Sequence, residues 1–332
     1  MKLIRTEDAV GQVLCHDMTQ IIKDVKKDAV FRKGHIITEE DIPVLLSIGK
    51  EHIYVWEKKE GQLHENEGAE ILRQMAQGCN LTATEPKEGK ISLKAAISGL
   101  LKVNSEKLIA VNSVGEVMIA TKRGNTCVRE GDNVAGMRVI PLVIDQKKMD
   151  EARAAAGSVP LVSVIPIRKK KAAILATGSE VFKGRIKDTF TPVVEGKLAA
   201  FDAEIMDKKV LDDNSDVTTQ TILDEIASGA ELVCVTGGMS VDPDDKTPLA
   251  IRNTGADVVS YGAPVLPGAM FMLAYYHAKN EDGSERLVPV VGLPGCVMYA
   301  GTTIFDLVLP RLLADDPVKK EELYSLGEGG LL

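Results

Sequence analysis

In the C-terminal half of the chain, short continuous apolar runs alternate with longer stretches whose apolar residues recur at helical spacing. "KAAILATG" (171–178) predicts a buried strand, "TPVVEGKLAAFDAEI" (191–205) a helix, "KKVLDD" (208–213) a second strand and "VTTQTILDEIASG" (217–229) a second helix. "AELVCVTGG" (230–238) predicts a third strand and "KTPLAIRNTG" (246–255) a third helix. "DVVSYG" (257–262) and "LVPVVGLPG" (287–295) follow as strands, and a last helix runs through "VMYAGTTIFDLVLPRLLA" (297–314). Strand and helix alternating at these lengths predict a parallel sheet covered by helices on both faces, an α/β three-layer domain over 169–332.

The preceding half reads differently. Residues 1–58 contain a Lys33-Gly34 turn, then Thr38 as a helix start with Asp41 three residues on, an apolar face at Ile42, Leu45 and Leu46, a stop at Gly49 and the strand "HIYVW". This predicts a small β-α-β cap or docking module, closed by the polar stretch "EKKEGQLHENEG" (57–68). Residues 62–168 predict an α+β, β-rich module. Helices are expected at Ala69–Gln77 and near Leu93–Leu101, strands in "KLIAVNS", "EVMIATKRGNTCV", "DNVAGMRVIPLVI" and "LVSVIPI", and a connecting helix in "DQKKMDEARAAAG" ended by Gly157. The run Arg168–Lys171 predicts a solvated edge.

Composition narrows the ligand class. A chain of 332 residues that is 45% hydrophobic and 27% charged is globular and large enough for more than one core. Its net charge of −8 and 4% aromatic content argue against nucleic acid as the partner. No apolar run approaches the roughly 18 residues that span a bilayer, and "MKLIRTEDAVGQ" lacks a signal-peptide core, so the expectation is a cytoplasmic protein with no membrane partner. Cys15, Cys79, Cys127, Cys234 and Cys296 show no CxxC spacing and are expected as reduced thiols.

Glycines end three of the expected strands on one edge: Gly178, Gly237-Gly238 and Gly295. In an open α/β sheet the ligand lies at the carboxyl ends of the strands, where glycines let backbone N–H groups approach an anion, so a phosphorylated small molecule is expected. Asp242, Asp244 and Asp245 follow the paired glycines; as hard oxygen ligands they point to Mg²⁺, and as acids before a helix they read equally as caps. Cys296, after Gly295, would have a lowered pKa at a helix start, or be a small buried cysteine. His64, Glu65 and Glu67 read as a solvated helix start, with a ligand set or acid–base pair as the sharper alternative.

"ILATGSE", "GRIKDT", "VTGGMSVDPDDKTP" and "VVGLPG" resemble, in order and spacing, the molybdopterin-binding domain of molybdenum cofactor biosynthesis. That domain is shared by molybdopterin adenylyltransferases, molybdopterin molybdenumtransferases of the gephyrin E-domain family, and the competence-induced nucleotide pyrophosphatases. The family's Thr-Gly-Gly turn, with an Asp seven residues after the second glycine and then x-Thr, is matched by Thr236, Gly237, Gly238, Asp245 and Thr247. "GEVMIATK" and "ITEEDIPVLLSIGKEHIYV" further resemble the molybdenumtransferase branch, which inserts molybdate into adenylated molybdopterin and releases AMP.

The resemblance implies Thr177, Gly178, Ser179 and Glu180 as a first ligand loop with Asp188 near it. It implies Thr236, Gly237, Gly238, Met239 and Ser240 as a phosphate cradle with Thr247, and Pro294, Gly295 and Cys296 as a third loop. Asp244 and Asp245 would hold Mg²⁺ and orient the phosphoanhydride as the catalytic pair. A homodimer is implied too, with a molybdoenzyme or other cofactor-biosynthesis protein as a further partner. Departures are clear: the P-G-K-P loop reads Pro267-Gly268-Ala269-Met270, the L-P-G-N-P loop reads Leu293-Pro294-Gly295-Cys296-Val297, and neither the branch's serine-methionine-aspartate-glycine-tyrosine segment nor its C-terminal barrel is found. A non-catalytic protein that binds, senses or delivers the cofactor is therefore the alternative, and a Mg²⁺-dependent nucleotide pyrophosphatase a further one.

Overall fold

The computed structural model describes residues 2–22, 26–55, 60–240, 245–280 and 282–332. The chain divides into two compact units, one of residues 1–97, 101–124 and 128–164, the other of 98–100, 125–127 and 165–332. Among the described residues no helix is long and apolar enough to cross a membrane.

In the first unit, Lys2–Arg5 pairs antiparallel with His52–Val55, and Met18–Ile22 with Lys26–Phe31. A helix, Asp41–Ser47, lies between these segments in sequence. The Thr38 amide and hydroxyl both donate to Asp41 Oδ2 at 2.8 Å, so the expected helix-start pair forms, although the helix itself begins at Asp41. Leu14, Met18, Phe31, Ile37, Leu45 and Ile53 make this segment's core. A longer helix, Glu65–Ala76, packs its apolar face on a four-stranded antiparallel sheet in the order Leu81–Ala83, Lys90–Ala95, Asn133–Val139, Val117–Thr121.

Two sequence expectations fail here. The helix expected near Leu93–Leu101 is instead the strand Lys90–Ala95 and the start of a strand at Gly99–Val103. Ile91, Leu93 and Ala95 are buried while Lys90 and Lys94 are exposed, and this period of two outweighs the helix propensity of Leu, Lys and Ala. "KLIAVNS", expected as a strand, lies in the helix Ser105–Asn112, whose start is fixed by the Asn104 side chain accepting from the Lys107 amide at 3.1 Å. The helix Gln146–Ala156 ends at Gly157, φ +73°, as expected.

The second unit is the α/β domain. Its strands are β1 (Lys171–Thr177), β2 (Glu204–Leu211), β3 (Leu232–Thr236), β4 (Asp257–Tyr261), β5 (Met272–Lys279) and β6 (Glu285–Leu293), in the order β2-β1-β3-β6-β5-β4. The continuous apolar character of β1 follows from burial on both sides. Ala172 and Ile174 join one core with Val194, Leu198, Phe305 and Leu309, while Ala173 and Leu175 join another with Ile222, Ile226 and Ile251. After the short helix α1 (Ser179–Phe182), the first core holds helices α2 (Thr191–Ala199) and α5 (Ile304–Leu313); the second holds α3 (Ser215–Ala227) and α4 (Thr247–Asn253).

The three-layer arrangement is as expected, but the sheet is mixed. β2, β1, β3 and β6 are parallel, whereas β5 runs antiparallel to both β6 and β4. β5 merges in sequence with the apolar loop before it, so no polar boundary announces it. The expected solvated edge also changes. Lys170 is 3% exposed and its ammonium sits 2.5 Å from Asp315, so one lysine of the run is buried and paired.

Candidate functional site

Parallel register brings four strand ends into one row. Thr177 lies opposite Leu211, Ala176 opposite Thr236, and Thr236 opposite Leu293, so the loops that follow β2, β1, β3 and β6 leave the same edge side by side. All three sequence-predicted glycine loops are therefore brought together at the carboxyl edge.

The central loop is built on threonine hydroxyls. Thr177 Oγ1 donates to the Thr236 carbonyl at 3.1 Å and lies 3.1 Å from Thr247 Oγ1, and the Thr247 amide donates to the Gly238 carbonyl at 3.2 Å. All three threonines are buried, so they brace the turn from beneath. Gly237 (φ +83°) and Gly238 (φ +52°) both take left-handed backbone. A Cβ on Gly237 would stand 2.1 Å from the Thr177 carbonyl oxygen, so contact between neighbouring loops demands glycine there. Beyond them, the amides of Gly238 and Met239 donate to no protein acceptor among the described residues. The Met239 side chain is buried in the core, its sulfur filling the space that a side chain on Gly292 would need.

Asp245 closes this loop rather than capping the helix that follows. Its Oδ2 accepts from the Ser240 amide at 2.7 Å, and α4 begins without a side-chain cap. The Tyr261 hydroxyl stands 3.3 and 3.4 Å from the carbonyls of Met239 and Ser240, with the Arg252 guanidinium 5.6 Å from the ring centre. Burial pushes the Tyr261 pKa up; Asp245 adds to that shift and Arg252 opposes it. Asp242 and Asp244 lie outside the described residues. Among the described residues no group of three or more His, Cys, Asp and Glu could hold a metal ion.

The first loop recruits acids that were not singled out in the sequence. The Ser179 amide donates to Asp213 Oδ2 at 2.7 Å and its hydroxyl to Asp212 Oδ1, which ties the loop after β1 to the loop after β2. The Ser179 hydroxyl and then the Asp213 amide hold Asp212 below its ordinary pKa. Only the topology could have revealed this, since the acids sit 33 residues or more from Ser179 in sequence. Glu180 is exposed beside Gly178, in the short helix Ser179–Phe182. Asp188 braces the turn that leads into α2: its Oδ1 accepts from the amides of Phe190 (2.8 Å) and Thr191 (3.1 Å).

At the third loop, Pro294 precedes a short 3₁₀ turn, Gly295–Met298, where a longer helix was expected. Cys296 is half-buried there, and burial raises its pKa, outweighing the backbone hydrogen bonds that lower it. The thiolate expectation is overturned for want of a helix long enough to supply a dipole. The Pro267-Gly268-Ala269-Met270 loop packs instead against α5: a Cβ on Gly268 would come 2.3 Å from Ile304 Cγ2. His64, expected as a solvated start, is fully buried and caps the helix Glu65–Ala76.

Residues 173–314 match a family described as "Probable molybdopterin binding domain", and residues 3–57 match one described as a domain of unknown function. The matched stretch runs from the first strand of the second unit's sheet through its helix Ile304–Leu313, so the probable molybdopterin-binding domain lies in the second unit. Among curated proteins, a CinA-like protein of Thermosipho melanesiensis is 25% identical over 168 residues, 47% of this chain and 42% of that protein. The chain therefore spans less than half the length of that relative. Among solved structures, the tungsten cofactor synthesizing protein MoaB of Pyrococcus furiosus is 19% identical, covering 49% of this chain and 97% of its own, with a TM-score of 0.34. CinA of Thermoplasma acidophilum is 18% identical, with 43% and 98% covered and a TM-score of 0.32.

Proposed function

We propose that the carboxyl edge of the second unit binds molybdopterin or its adenylate and acts in molybdenum cofactor biosynthesis. The observation that carries this reading is the pair of unspent amides at Gly238 and Met239, on a left-handed turn flanked by the Gly178-Ser179 and Pro294-Gly295 loops. Adjacent N–H groups in such a turn form a concave donor site for a phosphate oxygen. Thr177, Thr236 and Thr247 hold that turn in place before any ligand arrives, so little ordering is needed on binding.

On this reading the reaction is molybdenumtransferase-like: molybdate enters the dithiolene and AMP leaves. Asp245, with Asp244, is assigned to the phosphoanhydride end and to Mg²⁺, which would supply charge neutralisation at the leaving phosphate. The Ser240 amide on Asp245 Oδ2 orients that carboxylate and leaves Oδ1 without a hydrogen bond among the described residues. The second reading, a binding or delivery protein without turnover, is favoured by Ala269 and Met270 in the loop where the resembled branch carries lysine. Residues 1–168 carry no ligand motif of the resembled family, and on the proposed reading they complete the site of a second copy in a homodimer.

Anaerobic incubation with adenylated molybdopterin, molybdate and Mg²⁺, followed by mass spectrometry of AMP, separates the two. AMP release that disappears in Asp245→Asn supports the transferase. Tight binding with no AMP supports the delivery protein.

A further inference from the structure

Tyr261, the last residue of β4, also stands at the carboxyl edge. β5 runs antiparallel to both β6 and β4, so β4 points the same way as β6 and ends on the side where the glycine loops leave the sheet. The ring is half-buried and packs on the core that holds Leu175, Ile251 and the Met239 side chain, with the Arg252 guanidinium 5.6 Å from its centre. A tyrosine has only two side-chain torsions, so a ring seated in this way delivers its hydroxyl to one place.

That place is the backbone of the loop after β3. The hydroxyl stands 3.3 Å from the Met239 carbonyl oxygen and 3.4 Å from that of Ser240, so one proton is shared between two acceptors. Both distances are long for an O–H donor, as in a three-centre bond. Neither carbonyl accepts a backbone N–H among the described residues. On the other side of the Met239–Ser240 peptide, the Ser240 amide donates to Asp245 Oδ2 at 2.7 Å. This peptide is trans, so its carbonyl and its N–H point in opposite directions from one rigid plane, and the plane is pinned at both ends. Turning it breaks the contact with Tyr261 and the contact with Asp245 together. The two hydrogen bonds also lie in series, and a peptide polarised at its oxygen is a better donor at its nitrogen.

We propose that Tyr261 is a positioning residue for Asp245: through the Met239–Ser240 peptide it sets the orientation of the carboxylate, and with it the direction in which Oδ1 faces a ligand. What Oδ1 meets rests on the pterin reading of this edge, whereas the chain of contacts is present without a ligand.

Amide hydrogen exchange of the ligand-free chain tests the contact, and a double-mutant cycle tests its use. Tyr261→Phe keeps the ring and removes only the hydroxyl. We expect the Ser240 amide to exchange about three- to tenfold faster in that variant, the change that losing one uncharged hydrogen bond gives, with Val235 in β3 unchanged. Affinity for adenylated molybdopterin, measured anaerobically, should fall by a similar factor. Asp245→Ala leaves the Ser240 amide without its acceptor, and in that background Tyr261→Phe should cost no further affinity, because residues coupled in one network are not additive. A purely structural Tyr261 would weaken binding equally in both backgrounds. Unchanged Ser240 exchange in Tyr261→Phe, or the same loss of affinity with and without Asp245, would overturn the proposal. If the wild type binds no adenylated molybdopterin, the pterin reading fails, and the Ser240 amide alone decides whether Tyr261 positions Asp245: faster exchange in Tyr261→Phe supports it and unchanged exchange overturns it.

Discussion

At the scale of single residues, Thr177, Thr236 and Thr247 hold the loops at the carboxyl edge together. Thr177→Val removes the one hydroxyl that reaches both the Thr236 carbonyl and Thr247 Oγ1. It should lower stability by about 1 kcal/mol, or roughly 2–4 °C in the melting temperature of a domain this size, and weaken ligand binding in the same variant. Calorimetry and titration on one preparation check both. Cys296 gives a second prediction. Its raised pKa leaves little thiolate at neutral pH, so iodoacetamide should modify exposed Cys79 first, and the Cys296 rate should still be climbing as the pH reaches 9.0, the ordinary value for a thiol. Buried Cys234, pushed beyond the accessible range, should stay unmodified in the folded protein. Cys296 reacting ahead of Cys79 at pH 7 would contradict the burial argument. The residues that sequence singled out and structure brought together, Gly178, Gly237, Gly238, Thr247 and Asp245, were legible because glycines end the apolar runs and because the Thr-Gly-Gly turn with its following Asp-x-Thr matches the resembled family in spacing. Asp212 and Asp213 were not, because only the β1–β2 register puts them against Ser179.

At the scale of elements, the close approach of neighbouring loops is the determining contact. Gly237→Ala places a methyl 2.1 Å from the Thr177 carbonyl oxygen on a backbone at φ +83°, and should cost about 2–3 kcal/mol by forcing the loops after β1 and β3 apart. Denaturant unfolding would show it, and a change below about 0.5 kcal/mol would mean that the loops are not held as described. Strands buried on both faces, such as β1 and β3, were legible as continuous apolar runs. β5 was hidden by the apolar loop before it, and Lys90–Ala95 by residues that also favour helices. In the first unit, burial lowers the pKa values of His16 and His64 below the ordinary 6.5. The unfolded chain then binds protons that the folded one refuses, so this contribution is fully present above pH 6.5 and is lost as the pH falls toward the folded values. Thermal melts between pH 7.5 and 5 should show this loss, and His16→Phe should reduce it. A melting temperature flat across that window in wild type would contradict the assignment.

In the whole molecule, one edge of one sheet collects loops from distant parts of the chain into the proposed site for a phosphorylated pterin. The α/β class was readable from strand and helix alternation, whereas the use of each acid depended on which loops became neighbours. If the proposed homodimer forms, sedimentation at micromolar concentration should give twice the 35.8 kDa chain mass, and a monomer in the presence of ligand would remove that part of the proposal. The most direct test of the central claim is amide hydrogen exchange, measured anaerobically with and without adenylated molybdopterin. The Gly238 and Met239 amides, together with the 178–180 segment beside them, should exchange more slowly on binding. Bound ligand with unchanged exchange at Gly238 and Met239, or protection confined to other parts of the chain, would contradict it.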